Sequence, residues 1–143
     1  MHPRDIYVPE QGPPQTPGPS KLIYAEMGEA NIFRMLHDFY AALEQSEVRH
    51  LFPPDMAAAS EKSGAFFVFL LGGPPLYHQR FGPPMMRRRH IPFRIDEEAR
   101  QVWLRCFNET LVDAETKYNF PAEHKAGFIA FLESFSGWMV NTR

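Results

Sequence analysis

Between Glu29 and Glu44 the apolar residues recur every three and four positions. Ile32, Phe33, Leu36, Phe39, Tyr40 and Leu43 form one stripe, the pattern of a helix with a single buried face. Asn31 or an earlier residue is the expected cap, and Pro53-Pro54 break the chain just after Phe52. Ser60 to Leu71 starts polar and becomes almost wholly apolar. Period alone does not separate a buried helix from a strand there. Ser60-Glu61-Lys62 resembles a helix start and Gly72-Gly73-Pro74-Pro75 is a firm stop, so a largely buried helix is predicted. Leu76 to Pro92 reads as irregular, interrupted by Gly82-Pro83-Pro84, with a turn or two of helix over Met85 to His90. Pro92 disfavours helix at Ile91 and ends that turn. Asp96 is a good N-cap, with Glu97 and Glu98 at the positive end of the following helix. That helix is predicted to run to about Ala114, with Trp103, Phe107 and Leu111 on one face and Val102, Leu104 and Cys106 broadening it. Pro121 suits the first turn of a last helix whose stripe is Phe128, Phe131, Leu132, Phe135, Trp138 and Met139. No hairpin or internal repeat occurs, and the fold class predicted is all-α.

Composition changes this picture in a few places. A chain of 143 residues accommodates one core. Residues 1–20, with Pro3, Pro9, Pro13, Pro14, Pro17 and Pro19, read as an extended or mobile arm; a proline-motif ligand for a partner is the alternative reading. Residues 21–143 then form the domain. The net charge of −2 gives nucleic acid no electrostatic hold. Cys106 is the single cysteine, so no intrachain disulfide forms and secretion gains no support. The longest apolar run, Ala65 to Leu71, is too short to span a bilayer. No signal peptide is visible, and the expected compartment is the cytoplasm. The 13 phenylalanines suit a core or a pocket for a flat apolar ligand.

Candidate chemistry centres on His90, in Met86-Arg87-Arg88-Arg89-His90-Ile91-Pro92-Phe93. Taken alone, His90 is either a satisfied surface histidine or a metal ligand. The arginine run is a solvated face, a phosphate patch or a carboxylate clamp. On a helix Arg87 lies one turn before His90, while successive residues diverge by about 100°, so the three arginines cannot all serve one ligand. The remaining histidines have no metal-binding spacing, and one cysteine makes a zinc site poorer still. Tyr40 and Trp103 occupy apolar helical positions. Each is core, or a donor pointing into a pocket. Cys106 reads as a small buried hydrophobe.

In combination these fragments resemble one family. Gly72-Gly73-Pro74, Tyr77, Gly82-Pro83-Pro84, Arg87-x-Arg89-His90-x-Pro92-Phe93 and Trp103-Leu104-x-Cys106 closely resemble a truncated globin of the second group, over roughly residues 30 to 140. The resemblance implies a two-over-two helical sandwich around haem b. It places His90 as the proximal iron ligand. Tyr40 and Trp103 fall on distal hydrogen-bond donors to a diatomic gas, and Phe52 on an aromatic packing against the haem. Lys62, Tyr77, Arg87 and Arg89 match the residues that face haem propionates, and Phe66 and Phe93 the residues that touch the cofactor. The distal-helix gate falls on Ala59 or Ser60, and the inner pocket residue on Ser63 or Gly64. No histidine or glutamine lies between Phe52 and Leu71, so polar stabilisation falls to Tyr40 and Trp103. The functions implied are oxygen binding, or oxidation of nitric oxide or reduction of peroxide with electrons from a separate reductase. A non-haem interaction module using the proline-rich arm is the remaining alternative.

Overall fold

A computed structural model describes residues 5–14 and 18–143. In chain order the helices are α1 (Ile23–Met27), α2 (Glu29–Glu44), α3 (Met56–Leu70), α4 (Leu76–Phe81), α5 (Met86–His90), α6 (Glu97–Leu111), α7 (Ala114–Tyr118) and α8 (Lys125–Met139). Short 3-10 turns over Arg49–Leu51 and Ala122–His124 precede α3 and α8. No strand occurs among the described residues, in agreement with the all-α expectation.

The long helices follow their local chemistry. α2 has the predicted bounds, and of the expected caps it is an earlier residue, Gly28, that takes the N-cap position, while Asn31 Nδ2 donates back to the Met27 carbonyl at 2.9 Å. α3 begins at Met56, four residues before Ser60, because the Asp55 side chain accepts from the Ala58 N–H at 3.0 Å. Ala57-Ala58-Ala59 has no periodicity from which to read that turn. Asp96 caps α6 as expected, accepting from the Ala99 N–H at 2.8 Å. This helix stops at Leu111, and a separate helix, α7, starts at Ala114. Pro121 precedes a 3-10 turn that leads into α8, so the proline sits one turn earlier than predicted.

Two helix pairs make the body of the protein. α2 packs on α3, α6 packs on α8, and α2 also meets α6; the short α5 lies against α8. Phe107 of α6 is wholly buried where these elements converge, with ring centroids 4.1 Å from Phe39, 5.7 Å from Phe67 and 5.7 Å from Phe128. Cys106 beside it is buried, as its apolar context suggested. The α2–α3 approach depends on Gly64, where a Cβ would lie 2.5 Å from the Phe33 ring.

In the proline-rich N-terminal segment, of which residues 1–4 and 15–17 lie outside the described residues, the Tyr7 N–H donates to the Asn141 carbonyl at 2.9 Å. Further along, Gly72 ends α3 with φ +109°, and a Cβ there would stand 1.9 Å from the Lys21 carbonyl oxygen. The clash is with backbone and the φ disfavours any L side chain, so relaxation is costly. Gly72→Ala is expected to destabilise the protein by about 2–4 kcal/mol. Urea unfolding measures this; an unchanged midpoint would show that Gly72 and the Lys21 carbonyl do not approach this closely.

Candidate ligand pocket

A cavity of about 320 Å³ opens between the two helix pairs. α2 supplies Tyr40, α3 supplies Ala59, Lys62, Ser63, Phe66 and Phe67, α4 supplies Tyr77, and α5 supplies Met86, Arg89 and His90. Trp103 arrives from α6, and Phe135 and Met139 from α8. The size falls within the range of small-molecule and cofactor sites, and the lining is mostly apolar, as such sites require.

The α5 segment sets the chemistry. His90 Nδ1 lies 2.6 Å from the Met86 carbonyl, one turn back. A carbonyl only accepts, so Nδ1 carries the proton and Nε2 keeps its lone pair. Burial pulls the imidazole below its ordinary pKa, with the Met86 contact opposing and Lys62 reinforcing that shift. The side chain is therefore neutral near pH 7, the form that ligates a metal. The neighbourhood is also free of anions. Between Glu61 and Asp96 there is no acidic residue, while Lys62, Arg80, Arg87, Arg88, Arg89 and Arg94 all fall there.

Two polar donors line the same lumen. Burial raises the Tyr40 phenol pKa, with the nearby Ser63 side chain opposing that shift, so Tyr40 stays protonated and keeps a hydrogen to donate. Its ring meets Phe52 edge to face at 5.7 Å. Phe39 touches both donors, with centroids 5.5 Å from Tyr40 and 5.3 Å from Trp103. Phe39 is fully buried and so fixes the two rings relative to each other. Phe52 itself is held by Arg49, which donates to the Phe52 carbonyl at 3.2 Å and to the Pro53 carbonyl at 3.0 Å.

The structure brings together most of the residues singled out from the sequence. Tyr40, Phe52, Lys62, Ser63, Phe66, Tyr77, Arg89, His90, Phe93 and Trp103 all line the cavity. Of the alternatives on α3, Ala59 and Ser63 line the cavity, while Ser60 turns its hydroxyl to the Ala57 carbonyl and Gly64 faces Phe33. Arg89 lies over the Tyr77 ring at 5.3 Å while donating to the Phe81, Pro83 and Pro84 carbonyls. Phe93 is 41% exposed at the cavity's edge, with its ring 6.4 Å from that of His90.

Arg87 departs from its expected place. Met86, Arg89 and His90 face the cavity, and at about 100° per residue Arg87 then points roughly a right angle away. Its guanidinium donates instead to the Trp138, Val140 and Tyr7 carbonyls. Arg88 is exposed, as the sequence suggested. Sequence reasoning missed Phe135, Ser136 and Met139 as cavity residues. Phe135 and Met139 belonged to an apolar stripe, in which nothing says which members border an empty space, and Ser136 lay outside that stripe.

Two packed helix pairs enclosing an apolar lumen, with one neutral imidazole on a short pinned helix, define a globin-type pocket. A family model described as bacterial-like globin matches residues 22–141. The group 2 truncated hemoglobin YjbI of Bacillus subtilis is 34% identical over 119 residues, spanning 82% of this chain and 87% of that protein. Among solved structures, phosphate-bound Hell's gate globin IV superposes with TM-score 0.83 at 34% identity, covering 91% of this chain and 81% of that one. The truncated oxygen-avid haemoglobin of Bacillus subtilis gives TM-score 0.73 at 32% identity, covering 82% and 98%. The chain belongs to the bacterial-like globins and, within them, to the group II truncated, two-on-two hemoglobins.

The family implies a haem cofactor, and the residues present fit one. The lumen is apolar and bordered by aromatic rings, the one imidazole among the described residues lining it is neutral with Nε2 uncommitted, and Lys62 and Arg89 stand at it without an ion pair to any described carboxylate.

Proposed function

We propose that the cavity holds haem b with His90 Nε2 as the protein's iron ligand, and that the protein binds oxygen and other diatomic gases there. The observation that carries this reading is the His90 imidazole, whose Nδ1 is committed to the Met86 carbonyl and whose Nε2 is thereby left as a base inside an apolar lumen. When bound, the haem supplies an iron centre to which a diatomic gas attaches.

Each remaining role belongs to the chain. Met86 fixes the tautomer and rotation of the imidazole through its carbonyl. Lys62 and Arg89 provide positive charge for the cofactor's carboxylates, with no acid between Glu61 and Asp96 to compete. Phe52, Phe66 and Phe135 keep water from the lumen. The Tyr40 hydroxyl and the Trp103 indole N–H are donors for a polar diatomic ligand, and such bonds strengthen when the acceptor bears negative charge. The oxygen-avid relative from Bacillus subtilis agrees with this reading.

Reconstitution tests it. The purified chain is expected to take up one haem, show a Soret band, and change its spectrum reversibly between air and nitrogen in the ferrous state. A chain that folds but takes up no haem would sink the proposal.

Two donors in one lumen slow oxygen release, which suits retention of the gas better than bulk transport. That same feature favours a second reading, nitric oxide consumption with electrons from a separate reductase. It is tested by following nitric oxide loss in air with a chemical or enzymatic reductant. Loss sustained over many equivalents supports it; loss that stops after one equivalent leaves oxygen binding as the function.

A further inference from the structure

Arg87, the residue that leaves the cavity, sits at the centre of a clasp made from both ends of the chain. Its Nη1 donates to the Trp138 carbonyl and to the Val140 carbonyl (2.8 Å), and its Nη2 to the Tyr7 carbonyl (2.8 Å). The guanidinium also lies over the Trp138 ring, 4.4 Å from its centroid. No carboxylate faces it among the described residues. Burial lowers its pKa, as expected for a charge satisfied by carbonyl dipoles alone.

The other end of α5 is held from the same segment. Asn141 is fully buried; its Nδ2 donates to the His90 carbonyl at 3.1 Å, and its Oδ1 accepts from the Ile95 N–H at 3.1 Å. The Asn141 N–H donates to the Ile95 carbonyl at 2.9 Å, while its own carbonyl accepts from the Tyr7 N–H. Residues 138–142 and Tyr7 thus grip α5 at Arg87 and at His90, and clamp the chain just beyond it. α5 needs such a hold. It has five residues, no side-chain cap, and an N-cap, Met85, at φ +40°. A single uncapped turn does not persist without external contacts.

We propose that Arg87 and Asn141, bridged by Tyr7, are positioning residues that fix the rotation and depth of α5, and with it the aim of the His90 imidazole into the cavity. The inference rests on His90 being the iron ligand. It gives the N-terminal arm a role on the proximal side of the pocket, although Tyr7 lies outside the region matched by the family model.

The test uses the full-length haem-loaded protein and the variants Arg87→Lys, Arg87→Met and Asn141→Ala. Two quantities are read: the iron–histidine stretching band of the ferrous protein by resonance Raman, and the rate of haem transfer to an excess of an apoglobin scavenger. Lysine keeps the charge but cannot span three carbonyls as a planar fork does. Arg87→Lys is therefore expected to behave like Arg87→Met, with a shifted or broadened band and haem loss faster by about tenfold or more. Asn141→Ala is expected to shift the band in the same direction. Tyr7→Pro removes one N–H from the arm while sparing the core, so it is expected to fold and to give a smaller shift of the same sign. Wild-type behaviour in Arg87→Lys, with loss only in Arg87→Met, would show that the charge and not the fork matters, and would overturn the clasp. An unshifted band in all four variants would overturn it as well. Failure of the underlying reading is separately visible, because the iron–histidine band would then be absent from the wild-type ferrous protein or would persist in His90→Gly.

Discussion

His90→Gly is expected to abolish the five-coordinate ferrous spectrum of the haem-loaded protein, and free imidazole is expected to restore it. Among the described residues lining the cavity His90 is the only imidazole, and its Nε2 is the only ring nitrogen there with a lone pair to offer. Met86 and Met139 also reach the lumen, but a thioether is a weaker donor than a neutral imidazole for this class of site. Removing the ring leaves a space into which imidazole can diffuse, while the Met86 carbonyl remains as its hydrogen-bond partner. Haem affinity is expected to fall by about tenfold or more, the loss typical of removing one metal-directed interaction. Rescue by imidazole separates loss of the ligand from collapse of α5. An unaltered spectrum in His90→Gly without imidazole would place the ligand elsewhere.

Tyr40→Phe and Trp103→Phe are each expected to speed oxygen dissociation by about tenfold or more, since a hydrogen bond to a charged acceptor is worth about 1.5–3 kcal/mol. Both substitutions keep an aromatic ring, so the contacts with Phe39 and Phe52 persist and the change reports the donor. The two effects are expected to be non-additive. Phe39 touches both rings, and residues sharing a partner couple by about 0.5–3 kcal/mol. Ser63→Ala is an informative companion. It removes the hydroxyl on α3 that acts on the Tyr40 phenol, which alters dissociation only if that phenol meets the gas. Stopped-flow displacement of oxygen by carbon monoxide measures all of these. Unchanged rates in both aromatic variants would remove Tyr40 and Trp103 from the distal role.

The helices that carry the site were legible because their patterns are strong. The apolar stripe from Ile32 to Leu43, the Asp96 cap and the glycine–proline stop after Leu71 each reproduce a bound of α2, α6 or α3. What escaped was short. α1, α4 and α7 have five or six residues each, less than two turns, so no period can register. Their positions are fixed by tertiary contacts, as when Tyr24 N–H donates to the Leu71 carbonyl. The site followed the same rule. His90, Tyr40 and Trp103 were recognisable by type and by family pattern, whereas Ala59 against Ser60 depends on the rotation of α3 about its axis. That rotation is set by Gly64 against Phe33, a contact between helices that no local pattern records. Arg87 shows the limit most clearly. Its sequence neighbours point to a propionate, and its fate is decided by Tyr7 and Val140, residues at the two ends of the chain.

The central claim is that the His90 imidazole is the bond between this chain and the iron of its haem. Resonance Raman of the ferrous, ligand-free protein tests it most directly, with the histidines unlabelled and then nitrogen-15 labelled. An iron–histidine stretching band that shifts with the label in the wild type and is absent from His90→Gly is the predicted result. A band that survives in His90→Gly, or one in the wild type that ignores the label, would contradict it.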